Sequence, residues 1–359
     1  MTVAPSLSCL PGKIVQCKTV DLAEALKDEG KRCFITGPKN VHGIYGDIIN
    51  AALGKRAKIY AGFNGECCEA EIDRLAAGVK THKSDFIFSF GGGKAMDTSK
   101  SVAAKTGRRL IVLPTSASTC AAFTSHSVIY GEKGNFLRAD KHFKCPDTLI
   151  LAEEILESAP KRLLFSGIAD ACAKYYEFTF NGGVVKENSM AVVAEDMLKR
   201  FFMSVPAVKK SPESKMILSL SRLCIINTGL ISALGGASFK ATTAHALANG
   251  FTQIFPERPQ FARLLHGELV GAGILACLFS LNRIDELIML RKLFSDCGIF
   301  EEFAACGKLA LEDFETVSSF AVKSERQFRK LKLKVSDLTS ALGSLKIDNG
   351  AVGDLPPQM

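Results

Sequence analysis

Three side chains of metal-ligating type stand in the second half of the sequence, each among small or apolar neighbours. Asp170 lies in Gly167-Ile168-Ala169-Asp170-Ala171-Cys172-Ala173-Lys174-Tyr175-Tyr176-Glu177, His245 in Ala244-His245-Ala246-Leu247-Ala248-Asn249-Gly250, and His266 in Leu264-Leu265-His266-Gly267-Glu268. Two imidazoles and one carboxylate make a three-ligand set with room left for a substrate, as catalytic zinc and ferrous iron use. Each residue also has a plain structural role. An Asp near the start of a helix complements its dipole, and a lone His in apolar helical sequence is commonly a satisfied core imidazole. Their separation along the chain leaves open whether the three meet.

The first half holds a second chemical signal. Phe86-Ile87-Phe88-Ser89-Phe90 runs into Gly91-Gly92-Gly93 and then into the helical Lys94-Ala95-Met96-Asp97-Thr98-Ser99-Lys100. Glycines let a backbone approach a phosphate, and the free amides of the following helix attract the anion. The same pattern also serves as a tight turn, with Asp97 complementing the helix dipole. It is neither the dinucleotide fingerprint G-x-G-x-x-G nor a Walker loop. After the next strand, Thr115 to Tyr130 is rich in hydroxyls, which can donate to ribose, amide or phosphate groups or cap their own loop.

The elements that must position these residues follow from periodicity. Arg32–Thr36, Lys58–Ala61, Asp85–Phe90 and Leu110–Leu113 read as strands, and Asp21–Glu29, Val41–Leu53, Glu69–Val79 and Lys94–Lys105 as helices between them. Such alternation predicts βαβ units and a parallel sheet, with ligands at the carboxyl ends of its strands. Past about residue 155 the strand-like runs give way to helical patterns over Lys161–Phe180, Asn188–Val205, Glu213–Leu234, Ala241–Phe251 and Leu264–Leu281. Pro160, Pro206, Pro212, Pro256 and Pro259 punctuate them. The expected architecture is an α/β domain over residues 1–155 with a parallel sheet and an all-α domain over 156–359, with a small-molecule cleft between them. Asp348–Met359 reads as a loosely held tail.

Length and composition narrow the function. The 359 residues make roughly two domains of about 150 residues each, too long for a disulfide-stapled scaffold. The twelve cysteines are scattered, with no C-x-x-C, and read as reduced, mostly buried thiols. No apolar run reaches the ~18–20 uninterrupted residues of a membrane span, and MTVAPSLSCLPGK has no secretory pattern. A cytoplasmic protein without membrane or nucleic-acid partners is expected. The net charge of +8 suits anionic small ligands as readily as nucleic acid. The cluster Lys323, Arg326, Arg329, Lys330, Lys332 and Lys334 reads as a solvated helix face, with a polyanion-binding patch as the alternative.

Taken in order, GGGKAMDTSK, LPTSASTCAAFTSHSVIY, GIADACAKYYE, TTAHALANG and LLHGE resemble the glycerol dehydrogenase branch of the metal-dependent, or iron-containing, alcohol dehydrogenases. The resemblance runs from the first strands to about residue 280 and implies a dehydroquinate synthase-like architecture and a homo-oligomer. It implies Asp170, His245 and His266 as catalytic ligands of one divalent metal, zinc or iron. It further implies NAD or NADP held by Gly93, Lys94, Asp97, Thr115, Ser118, Thr124 and Tyr130; Gly37, Lys39, Gly92 and His126 are added as candidate cofactor contacts from their place after the strands and in the loops. The implied reaction interconverts a small alcohol or 2-hydroxy acid with its carbonyl. His126 is an outside candidate for general base.

Three departures refine that picture. Where glycerol dehydrogenases carry an Asp that contacts the polyol, this chain has Cys120, and its TCAAFT segment looks more like the hydroxycarboxylate dehydrogenases; the lost negative charge favours an anionic substrate. The stretch between the two histidines is lengthened and contains Arg258 and Arg263, either of which can hold a carboxylate bidentately or stay a surface residue. After the strand at Cys33–Thr36, Gly37-Pro38-Lys39-Asn40 lacks the acid that family members preferring NAD present to the ribose, so NADP is expected to be accepted. The alternatives are glycerol or glycerol-1-phosphate dehydrogenase, a dehydroquinate synthase-like cyclase, and a non-catalytic binding protein on the same scaffold.

Overall fold

The computed structural model describes residues 9–239, 241–345 and 347. The chain divides into two compact units: the residues up to Glu132 with Leu137–Pro160, and Lys133–Phe136 with the residues from Lys161 onward. The tail expected at Asp348–Met359 lies outside the described residues, as do the first eight residues of the opening segment.

The first unit alternates β1 (Lys13–Cys17), α1 (Leu22–Ala25), β2 (Arg32–Pro38), α2 (Lys39–Leu53), β3 (Ala57–Phe63), α3 (Glu69–Thr81), β4 (Phe86–Gly91), α4 (Gly93–Thr106) and β5 (Arg109–Pro114). β6 (His126–Tyr130), β7 (Phe136–Lys141), β8 (Thr148–Ala152) and α5 (Glu153–Ser158) follow. Six strands form a parallel sheet in the order β1-β8-β5-β4-β2-β3, and β6 pairs with β7. The two-residue period of a strand puts Phe86, Phe88 and Phe90 on one face. There they join Cys33, Ile35 and Ile111 of neighbouring strands and Ile49 and Leu53 of α2 in one buried cluster. β4 is buried along its whole length, so its exit at Gly91 is rigidly placed.

Two local readings change. The helix expected over Asp21–Glu29 is a 3₁₀ turn at Thr19–Asp21 followed by the four-residue α1. The Arg56 guanidinium bonds the carbonyl oxygens of Leu26, Lys27 and Gly30 and holds the chain there in a turn. β1, β6, β7 and β8 were not marked by the sequence pattern, because each spans five or six residues and draws its stability from its sheet neighbours.

The second unit is helical: α6 (Lys161–Phe180), α7 (Ser189–Lys210), α8 (Ser214–Arg222), α9 (Thr228–Leu234), α10 (Thr243–Gln253), α11 (His266–Ser280), α12 (Ile284–Asp296), α13 (Ile299–Ala304), α14 (Leu311–Ser324), α15 (Gln327–Lys330) and α16 (Val335–Ser344). Pro206, expected as punctuation, lies inside α7, a helix opened by Asn188, whose side chain accepts from the Met190 and Ala191 amides. α8 and α9 join through a π turn at Leu223–Asn227 into a run, Ser214–Leu234, that is long and apolar enough to cross a membrane by length and composition. The expectation that no such stretch exists rested on uninterrupted apolar runs, which Arg222 and Asn227 break. In the structure the run packs against α6 and α7 of its own unit.

α11 is the hub of this unit, packing on both α6 and α10. Glycines set the approach. A Cβ at Gly267 would fall 1.8 Å from the Ser166 carbonyl oxygen on α6, and one at Gly273 would fall 2.5 Å from the Ala244 carbonyl oxygen on α10. Both collisions are with backbone, which cannot swing aside as a side chain can. Gly267→Ala is therefore expected to cost about 1–3 kcal/mol through overpacking, measured as a lower midpoint in urea unfolding; an unchanged midpoint would show that α11 can shift freely on α6.

Candidate functional site

The close packing of α6, α10 and α11 has a chemical result. Asp170 stands in the middle of α6, so it is not a partner for that helix's N-terminal dipole, whereas His245 and His266 sit in the first turns of α10 and α11. The three offer ligand atoms that all lie within 4.8 Å of one another. His245 Nε2 is 3.3 Å and His266 Nε2 3.6 Å from Asp170 Oδ1, and the ring centroids are 5.5 Å apart.

The electrostatics favour a cation at this point. Asp170 is buried, which alone would raise its pKa, but the hydrogen bond from His245 and the charges of His266, His245 and Lys174 outweigh burial and bring it to about 2. Burial likewise opposes the charging of His245, yet Glu177 and Asp170 hold its pKa up at about 9. A pair of buried carboxylates thus draws positive charge onto the histidine between them. A divalent cation answers the same demand, and two imidazole nitrogens with one carboxylate are a donor set that suits one. The residues present therefore fit a metal.

Glu177 is the functional residue that the sequence pattern left unassigned. Fully buried, it accepts from the Thr242 and His245 backbone amides at 2.9 and 3.1 Å and from His245 Nδ1 at 2.9 Å. It caps α10 from another helix and turns His245 Nε2 toward Asp170. The available signal was spacing: Glu177 follows Asp170 by seven residues, two helical turns, and so shares its face. His266 has a comparable anchor. Glu268 accepts from the Leu265 amide at 2.8 Å and takes both Nε and Nη2 of Arg162, fixing the start of α11.

Both arginines of the lengthened stretch are engaged by acids of their own unit, Arg258 by Asp313 at 3.2 Å and Arg263 by Glu302 at 3.4 Å. The structure thus gives each a partner other than a substrate carboxylate.

In the first unit, Gly91 leaves β4 at φ 132°, a conformation that favours glycine, and Gly92 opens α4 with no side-chain cap. A Cβ at Gly92 would meet only Ser116 Oγ, at 3.7 Å. The start of α4 is thus an uncapped ring of amides beside an open approach, which fits a phosphate. Lys94 lies 5.0 Å over the Tyr130 ring and 2.6 Å from Glu66. Ser116 and Ser118 hydroxyls are 3.2 Å apart in the loop after β5, which leaves the sheet through a Thr115 amide bond to Gly91.

Other candidates there bond within the fold. Asp97 Oδ1 lies 2.8 Å from Lys100 Nζ, and its Oδ2 accepts the Val128 amide at 3.0 Å. The buried Lys100 ammonium also donates to the carbonyls of Ala121 and His126 and reaches Thr124 Oγ1 at 3.5 Å. This pair staples the hydroxyl-rich loop, including Cys120, which is partly exposed, to α4. Gly37 accepts from Tyr60 Oη and leaves room for the Phe90 ring, 2.5 Å from where its Cβ would be. Lys39, exposed, opens α2 directly after β2.

A parallel sheet with a glycine loop, followed by a helical unit gathering two histidines and an aspartate, is the anatomy of a metal-dependent, nucleotide-linked dehydrogenase. The family model for iron-containing alcohol dehydrogenase matches residues 11–153. A glycerol dehydrogenase of Thermotoga maritima is 31% identical, the match covering 80% of each chain. Hydroxycarboxylate dehydrogenase A of Escherichia coli is 28% identical over 64% of each. The crystal structure of a probable glycerol dehydrogenase from Sinorhizobium meliloti superimposes with a TM-score of 0.81 at 24% identity, covering 96% of this chain and 98% of the other. The chain belongs to the iron-containing alcohol dehydrogenase family and is a metal-dependent alcohol oxidoreductase that works with a nicotinamide cofactor.

Replacing Glu177 by Gln keeps an acceptor for the two amides but removes the anionic one from His245 Nδ1. The expected loss of stability is about 1–3 kcal/mol, read by chemical unfolding of the metal-free protein; no loss would show that the buried carboxylate contributes nothing to holding His245.

Proposed function

We propose that the chain reversibly oxidises a small 2-hydroxy acid to the 2-oxo acid, using NADP or NAD and one divalent metal, zinc or iron. The observation that carries this reading is the convergence of Asp170, His245 and His266 from three helices onto one point. These three residues would hold the metal, with residues 156–359 as the metal-binding domain. Residues 1–155 would hold the nicotinamide cofactor through Gly92, Gly93, Lys94, Thr115, Ser118, Thr124 and Tyr130. A bound divalent ion supplies Lewis acidity, which lowers an alcohol's pKa and polarises a carbonyl, and the nicotinamide accepts or returns the hydride.

The chain's own residues do the positioning. Glu177 accepts the hydrogen bond from His245 Nδ1, so Nε2 is the nitrogen that would hold a metal once its own proton is displaced. Arg162 and Glu268 fix the turn that carries His266. The uncapped amides of α4 receive phosphate oxygens. Lys39, with no acid beside it in Gly37-Pro38-Lys39-Asn40, supports acceptance of a 2′-phosphate.

Cys120 in place of a polyol-binding acid and the likeness to a hydroxycarboxylate dehydrogenase favour a carboxylate-bearing substrate; the likeness to glycerol dehydrogenases keeps glycerol as the second reading. We also propose a cytoplasmic homo-oligomer, supported by the half-exposed apolar flank of Ser214–Leu234. Light scattering after gel filtration is expected to give a multiple of the chain mass, and a monomer would refute the oligomer.

The decisive experiment is a panel of 2-oxo acids, aldehydes and ketones followed by NADPH and NADH absorbance with zinc, iron or manganese added. Turnover of 2-oxo acids by NADPH is expected, abolished by chelation and by Asp170→Asn. One metal bound per wild-type chain and much less in Asp170→Asn is expected by elemental analysis. Equal metal in both, or no turnover of any carbonyl, would refute the reading.

A further inference from the structure

Resting on that reading, we infer that Lys174 is the residue that binds the carboxylate of the substrate. Lys174 lies on α6 between Asp170 and Glu177, four residues after the first and three before the second, so all three share one face of the helix. Lys174 is 8% exposed, and among the described residues its ammonium makes no hydrogen bond or ion pair, its charge reaching Asp170 and Glu177 only through space. The contrast with Lys100 is direct: that ammonium, on a still more buried side chain, is taken up by Asp97 and by carbonyl oxygens around it. An ammonium at the end of so buried a side chain, left without a hydrogen-bonding partner in the protein, is one that a ligand can satisfy.

Charge counting identifies the ligand. Asp170 and Glu177 bring two negative charges, which a divalent metal between neutral imidazoles balances. Lys174 is then the surplus positive charge in this buried neighbourhood, and one monoanionic group neutralises it. In a 2-oxo acid the carboxylate is attached directly to the reacting carbon, so its binding group must lie close to the residues that would hold the metal. Lys174, one helical turn from Asp170, meets that condition. An uncharged polyol leaves it unmet.

The test compares pyruvate with hydroxyacetone, which has the same three-carbon ketone but a hydroxymethyl group in place of the carboxylate. In the metal-loaded protein, Lys174→Met is expected to lower the ratio of kcat/KM for pyruvate to that for hydroxyacetone by about 10- to 100-fold, the loss of one charge-assisted hydrogen bond. Lys174→Arg is expected to restore much of it. Oxamate, a non-reducible analogue of pyruvate, should raise the Tm of the wild-type protein and not that of Lys174→Met. The ratio is independent of how much of a variant is folded, and Lys174→Gln repeats it with a polar side chain. A parallel fall for both substrates, or an undiminished response to oxamate, would overturn the inference and make Lys174 a counter-ion for Asp170 and Glu177. Wild-type protein that reduces hydroxyacetone and ignores pyruvate also overturns it, leaving the dehydrogenase reading in place. Failure to reduce either refutes that reading itself.

Discussion

An ionised carboxylate cannot be buried without a countercharge, and Asp170 is buried in the middle of a helix. The helical unit is arranged around that requirement. Two histidines come to Asp170 from the first turns of two other helices, each held by a further acid: Glu177 grips His245 directly, and Glu268 fixes the turn of His266. Arg162 in turn meets Glu268, and Lys174 lends its charge to Asp170 and Glu177 without bonding either. Their arrangement concentrates negative charge at one point and leaves two imidazole nitrogens facing it, which is the chemical definition of a cation site. Glycines at the helix crossings make the convergence possible, because Gly267 and Gly273 let α11 lie against the backbones of α6 and α10.

The sheet unit solves a different problem by different means. It must present backbone amides to an anion, so its signal is the absence of side chains at Gly91-Gly92-Gly93 rather than their presence. The loop facing that helix would be mobile if nothing tied it down. Asp97 and Lys100, one turn apart on α4, tie it at Ala121, His126 and Val128. Asp97 is thereby tied to the loop that faces the glycine turn, a contact between distant segments that spacing alone does not show. The same holds for Gly37, whose missing side chain admits the Phe90 ring.

Much of this was legible in one dimension. The short apolar runs of β2 to β5, the long helices α6 and α11 and the glycine loop follow from local patterns, because hydrophobic runs, helical period and glycine chemistry act over a few residues. The misread segments depend on distant partners. Asp21–Glu29 has a helical pattern, but Arg56 takes its carbonyl oxygens, and β1 and β8 become strands through each other. Pro206 is tolerated inside α7 by a helix otherwise well capped and packed.

By itself the sequence determined the inventory: which residues can ligate a metal, where a phosphate can approach, and that strands alternate with helices before helices take over. Only the tertiary structure decided which of these meet. Asp170, His245 and His266 are separated by 75 and 21 positions in the sequence, and no local preference encodes their meeting. It is set by how closely α6, α10 and α11 pack, a property of side chains that touch only after folding. The same packing leaves Lys174 without a hydrogen-bonding partner and commits Lys100 to its own loop, a difference between two lysines that no composition or spacing reveals.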